Sequence, residues 1–149
     1  MVEDKVRVAV IGLNVGLYHL REYLKIPDVE VVALCDVDAQ KLKDVSSKYG
    51  VARTYTDYKA LLDDPSVDAV SVVLPNYLHG PVSTSALESG KHVLCEKPLA
   101  SSLPDGESIV KAAEKSGKVA MVPTNFVWMK EAAYTRELLE DGFFGEVYY

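Results

Sequence analysis

The sequence holds only two cysteines, Cys35 and Cys95, too few for a disulfide framework or a zinc site. It has no run of about 18 apolar residues, so no segment reads as membrane-spanning. It is short of positive charge: 16 Lys and Arg stand against 22 Asp and Glu, a net charge of −6. A nucleic-acid partner requires a phosphate-neutralising surface, and this balance argues against one. A small anion held by backbone N–H groups stays compatible with it. The first residues lack the basic segment, long apolar stretch and small-residue cleavage site of a signal peptide, so the expected location is the cytoplasm. Internal repeats are missing as well.

What is present fits a globular domain. Hydrophobic residues make up 48% and charged residues 26%, which rules out a disordered chain, and 149 residues suit one domain. Apolar β-branched runs alternate with helical periodicity. Strands are predicted at 5–11, 29–35, 52–55, 67–74, 91–95 and 118–122, the run VDAVSVVL being the clearest. Helices are predicted at 15–26, 39–49, 56–62, 79–89, 102–116 and 130–141, with Thr56 as the cap of the third. Ser102 and Asp105 flank a proline in the manner of a capping box. Residues 146–149 read as the start of a further strand.

Such alternation means parallel pairing through right-handed crossovers. The expected fold is therefore α/β, a doubly wound parallel sheet of Rossmann type with strand order 3-2-1-4-5-6. In that order Cys35 and Cys95 lie three strand spacings apart, about 14 Å. A disulfide needs Cα atoms within about 7 Å, so both thiols should be free, buried apolar groups.

The turn between the first strand and first helix contains Gly12, Asn14, Val15 and Gly16. A helix N-terminus offers unpaired N–H groups and partial positive charge, which suit a pyrophosphate. Against the G-x-G-x-x-G fingerprint, Asn14 replaces the second glycine and Gly16 comes one place early. Asn tolerates positive φ, so Asn14 is expected to keep the turn. By itself this motif also fits any glycine turn between a strand and a helix. Asp36 follows the second strand, where a carboxylate can accept both ribose hydroxyls of NAD and repel the 2′-phosphate of NADP. The cofactor expected is thus NAD, with NADP disfavoured. Lys41 and Lys43 fall inside the second helix and read as solvated. Ligands of open α/β sheets bind beyond the carboxyl ends of the strands. Pro75, Asn76 and His79, then Glu96, Lys97 and Pro98, then Asn125, all follow later strands.

VIGLNVGLYHL, LPNYLH, CEKPLA and VPTNFVW, in that order and spacing, resemble the Gfo/Idh/MocA oxidoreductase family over essentially the whole chain. The E-K-P turn is the most specific element. The resemblance implies hydride transfer between a nicotinamide cofactor and a hydroxyl of a sugar, cyclitol or related small molecule. It implies an N-terminal Rossmann domain at 1–124, with 125–149 as a connecting helix and the start of a second domain otherwise absent from this chain. Lys97 matches the family lysine beside nicotinamide and substrate, with Glu96 as its orienting neighbour. Pro98 matches a proline often preceded by a cis peptide. Asn76 and His79 match a turn near the cofactor, and Asn125 a polar residue reaching toward the nicotinamide. Val127 stands where many members carry Arg. Many family members oligomerise through the sheet of the second domain; this chain is instead expected to self-associate as a homo-oligomer through its apolar C-terminal segment, most simply as a two-fold dimer.

Lysine suits the role given to Lys97. Oxidising an alcohol removes a hydride and a proton, so the oxygen needs an acid/base partner. Partial desolvation near a positive nicotinamide would favour the neutral amine. A solvated lysine paired with Glu96 is the plain alternative. His19 and His92 read as structural or solvated, and His79 equally as the start of a helix. Tyr77 fits either the cofactor pocket or rim packing. A non-catalytic dinucleotide sensor and an interaction module without cofactor are the alternative functions; the Glu96–Lys97–Pro98 turn disfavours the sensor. Residues 124–149 carry Phe126, Trp128, Met129, Phe143, Phe144, Tyr148 and Tyr149, and some of these should pack onto the core.

Overall fold

A computed structural model describes residues 5–148. Six parallel strands form one sheet in the order β3-β2-β1-β4-β5-β6, the arrangement the alternation predicts. They are β1 (Val6–Ile11), β2 (Val29–Cys35), β3 (Arg53–Tyr55), β4 (Ala69–Val72), β5 (His92–Cys95) and β6 (Ala120–Met121). The helices are α1 (Gly16–Tyr23), α2 (Ala39–Tyr49), α3 (Tyr58–Leu62), α4 (Asn76–Glu88), α5 (Leu103–Ser116) and α6 (Lys130–Glu140). A 3-10 turn, Asn125–Trp128, precedes α6.

Successive residues of β1 feed opposite layers. Val10 packs with Leu13, Leu20, Leu34, Leu42 and Val45 under α1 and α2. Ile11 packs with Leu61, Val72, Val82, Leu87 and Ile109 under α3, α4 and α5. This two-sided burial is why the strands read as continuous apolar runs rather than alternating ones.

Register fixes the site. Tyr55, Cys35, Ile11, Val72 and Cys95 pair across five strands as one row at their carboxyl ends. The residues that follow along the row include Asp36, Gly12, Val73 and Glu96, so the candidate groups emerge side by side. The two cysteines occupy separated positions in this row and are free and buried. Burial pushes the Cys35 thiol up to about 12, so it stays protonated and inert.

Several boundaries differ from expectation. Helix α3 is capped by Asp57, which accepts from the Lys59 N–H at 3.0 Å, and not by Thr56. Helix α4 begins at Asn76 rather than 79, because Pro75 supplies the extended entry and Pro81 is accommodated within the helix. Helix α1 stops at Tyr23, short of the predicted 26. Strand β6 keeps two residues of the predicted five. No strand forms at 146–148, and Tyr149 lies outside the described residues, as do Glu3 and Asp4 at the other end. The aromatic C-terminal segment does not pack onto the core: Phe126, Trp128, Phe143, Phe144 and Tyr148 are all exposed. Helix α6 carries no buried residue, so its apolar side chains never reach the sheet.

Candidate active site

The turn after β1 is built around glycine. Gly12 has φ +91°, and a Cβ there would run into the Val73 carbonyl of the neighbouring strand end. Gly16 lets α1 close onto β1, since a Cβ would meet the Val10 side chain at 2.9 Å. Asn14 works differently from expectation. No non-glycine residue among those described has positive φ. Its side-chain oxygen instead accepts from Lys41 Nζ at 2.8 Å. Lys41 is therefore not simply solvated: it also lies 3.3 Å from Asp36 Oδ2 and ties α2 to the turn.

The start of α1 has no side-chain cap and no acidic residue in its first turn. Helices α2, α3 and α5, by contrast, are capped by Asp38, Asp57 and Ser102. The first N–H groups of α1 thus face outward with their positive field uncompensated. Asp36, 8% exposed, lies beside them. Its Oδ2 accepts from the Leu13 N–H at 2.8 Å and its Oδ1 from the Asp38 N–H at 3.0 Å. Burial pushes this carboxyl up, but the two N–H donors and Lys41 outweigh burial and hold it below its ordinary value.

A cleft of about 280 Å³ runs from this turn across β4 to β5. Its walls are Asn14 and Val15 on one side, Val73, Pro75 and Asn76 beneath, and Glu96 and Lys97 on the far side. His79 is 1% exposed and bridges the carbonyls of Leu74 at 2.8 Å and Pro98 at 2.6 Å. It lines the cleft floor and braces the loops after β4 and β5. The Lys97–Pro98 peptide is cis. Glu96 Oε2 accepts from the Lys97 N–H at 2.9 Å and lies 3.9 Å from Lys97 Nζ. The Lys97 side chain is 73% exposed, so this chain's own atoms do not supply the desolvation its proposed role calls for.

Two expected neighbours stand apart. Asn125 sits exposed in the 3-10 turn after β6, away from the cleft walls, and Tyr77 projects into solvent. One residue outside the candidate set reaches in: His19 of α1 contacts Glu96 Oε1 at 3.2 Å. Its position one turn along the helix that leaves the glycine turn was the available signal. His92 is structural, taking the Val119 N–H at 3.1 Å. Among the described residues no cluster of potential metal ligands occurs, and no helix is long and apolar enough to cross a membrane.

Comparison with known proteins gives the geometry a context. Residues 6–124 match the Gfo/Idh/MocA profile, described as an oxidoreductase family with an NAD-binding Rossmann fold. Inositol 2-dehydrogenase of Salmonella typhimurium is 32% identical over 145 residues, covering 94% of this chain and 43% of that protein. The crystal structure of myo-inositol 2-dehydrogenase from Lactobacillus plantarum superposes with a TM-score of 0.90 at 28% identity, over 97% of this chain and 43% of that one. A 3-ketoreductase from Actinomadura kijaniata, solved with NADP and TDP-benzene, gives 0.87 at 31% identity, over 93% of this chain and 43% of that one. The chain thus spans about two fifths of the length of these relatives.

Proposed function

The chain belongs to the Gfo/Idh/MocA oxidoreductase family, and we propose that it binds NAD and supplies the acid/base lysine for hydride transfer to and from a sugar- or polyol-like hydroxyl. The observation that carries this reading is the single row of strand ends. It sets the uncapped start of α1 and the Glu96–Lys97 turn along one cleft, with the Asp36 carboxylate at the adjacent strand end beside the glycine turn. The residues fit a dinucleotide. Asn14, Val15 and Gly16 offer backbone N–H groups to a pyrophosphate, and Gly12, whose own N–H donates to the Cys35 carbonyl, shapes the turn that presents them. Two lone-pair sites of Asp36 are taken by backbone N–H groups and Lys41 Nζ approaches Oδ2 at 3.3 Å, which leaves the remaining acceptor capacity for a ribose hydroxyl. Pro75, Asn76 and His79 shape the floor; Asn125, exposed in the turn after β6, stands outside it.

A bound NAD would supply the hydride acceptor. Lys97 takes the proton of the substrate hydroxyl during oxidation and returns it during reduction. Glu96 holds the Lys97 backbone and faces its ammonium. The named relatives, an inositol dehydrogenase and a 3-ketoreductase, support polyol and sugar substrates. Asp36 supports NAD over NADP through hydroxyl pairing and repulsion of a 2′-phosphate.

We assign residues 1–124 to the dinucleotide-binding unit and 125–149 to a connecting segment. That segment exposes Phe126, Trp128, Phe143, Phe144 and Tyr148, which supports self-association of the chain. The test of function is hydride transfer by the complete gene product from a panel of polyols, followed by NADH absorbance. Reduction of NAD that depends on Lys97 supports the reading. NAD binding without turnover across the panel would favour a sensor, and absence of binding an interaction module.

A further inference from the structure

A line of polar side chains runs behind the cleft through the sheet layer. The Tyr23 hydroxyl donates to Ser71 Oγ at 3.3 Å, and Ser71 Oγ lies 2.7 Å from His19 Nδ1. His19 Nε2 lies 3.2 Å from Glu96 Oε1. Ser71 is fully buried, and His19 and Glu96 are largely so. Tyr23 and His19 are one turn apart on α1 with their rings edge to face. An ionised carboxylate only accepts, so Nε2 carries the hydrogen of the Glu96 contact. Ser71 can serve Nδ1 as donor or acceptor, which leaves the Glu96 contact intact for either charge state of the ring.

Glu96 is thereby held from two sides, one oxygen by His19 and the other by the Lys97 backbone N–H. Held so, its carboxylate stays 3.9 Å from Lys97 Nζ, beyond hydrogen-bond length. The lysine amine remains free to reach into the cleft. We propose that His19 is a positioning residue that tethers Glu96 and so keeps its carboxylate from closing onto Lys97. This rests on the reading of Lys97 as the acid/base group. It also couples the two halves of the site, since α1 presents the phosphate turn at its start and the tether one turn later. Tyr23 and Ser71 hold the imidazole in place from behind.

The test is competitive labelling of the chain with acetic anhydride, with Lys97 acetylation measured by mass spectrometry against the exposed Lys111. With the tether removed in His19→Leu, the carboxylate closes on the ammonium. Lys97 labelling then slows about two- to fivefold, the scale of a surface ion pair. His19→Asn, which keeps a polar group toward Ser71 but is too short to reach Glu96, gives the same slowing. His19→Gln, which extends an N–H donor about as far as Nε2, restores the rate. In a Glu96→Gln background, His19→Leu changes nothing further, because no carboxylate remains to close. Unchanged labelling in both His19→Leu and His19→Asn overturns the proposal, as does equal slowing with and without Glu96. Titration of the same variants with NAD reads the functional assignment separately, since labelling requires neither cofactor nor substrate.

Discussion

The Lys41 ammonium donates to the Asn14 side-chain oxygen at 2.8 Å, and in that position stands 3.3 Å from the Asp36 carboxylate. A helix residue thus ties the glycine turn to the acid proposed to pair with the ribose. The positive charge offsets part of the repulsion Asp36 would exert on a 2′-phosphate. Lys41→Ala should therefore widen the preference for NAD, with NADP affinity falling about fivefold relative to NAD, the scale of one partly exposed charge pair. Calorimetric titration of both cofactors checks this; a narrowed preference would show that Lys41 does not oppose Asp36.

Two glycines with positive φ separate conformational strain from steric exclusion. Gly12 faces the Val73 carbonyl, whereas nothing lies within 4 Å of a Cβ on Gly50. Gly50→Ala should cost about 1 kcal/mol for its left-handed backbone. Gly12→Ala should cost at least about 2 kcal/mol more, because β1 and β4 must part. Urea unfolding of the two variants gives the comparison, and equal losses would show that Val73 yields freely.

Acid should weaken the amino-terminal edge of the sheet. The side-chain bond from Arg7 holds the Asp68 carboxyl at about 2, and bonds from Ser66 hold Asp64 at about 2, against an ordinary 3.8. Both values are depressed, so the stability these carboxylates contribute is fully present above about 3.8. It is lost as pH falls toward 2. Melting temperature should drop across that window, and Asp68→Asn should flatten the drop. A variant with the same slope as the parent would assign acid sensitivity to other groups.

In the complete gene product, Lys97→Ala should lower turnover by roughly 10²–10⁴-fold, the contribution of a positioned acid/base, with a much smaller change in NAD affinity. Steady-state rates over a pH series check this. Near-normal turnover would place proton transfer on another residue.

Strand order and the two-layer core were legible because β-branched runs such as those of β1 and β4 bury on both faces and alternate with capped helices. The placement of most candidate residues was legible for the same reason: parallel register brings the carboxyl ends of β1, β2, β4 and β5 to one edge, whereas Asn125 after the short β6 falls outside it. Contacts that depend on side-chain reach were not. Lys41 lies inside a helix whose period marks it as exposed, yet its length carries it to Asn14. Asn14 fits a positive-φ turn by residue type, but within the turn after β1 only Gly12 takes that conformation. The place of His19 one turn beyond the glycine turn marks it as near the site, but nothing local names Glu96, 77 residues away, as its partner. Composition leaves some of the aromatic residues after β6 expected on the core, and only the structure shows that Phe126, Trp128, Phe143, Phe144 and Tyr148 are all exposed.

Binding of NAD and NADP to the parent chain and to Asp36→Ala tests the account most directly. Isothermal titration should show the parent binding NAD more tightly than NADP, and Asp36→Ala should erase most of that difference. Equal or tighter binding of NADP by the parent, or an unchanged preference in Asp36→Ala, would contradict it.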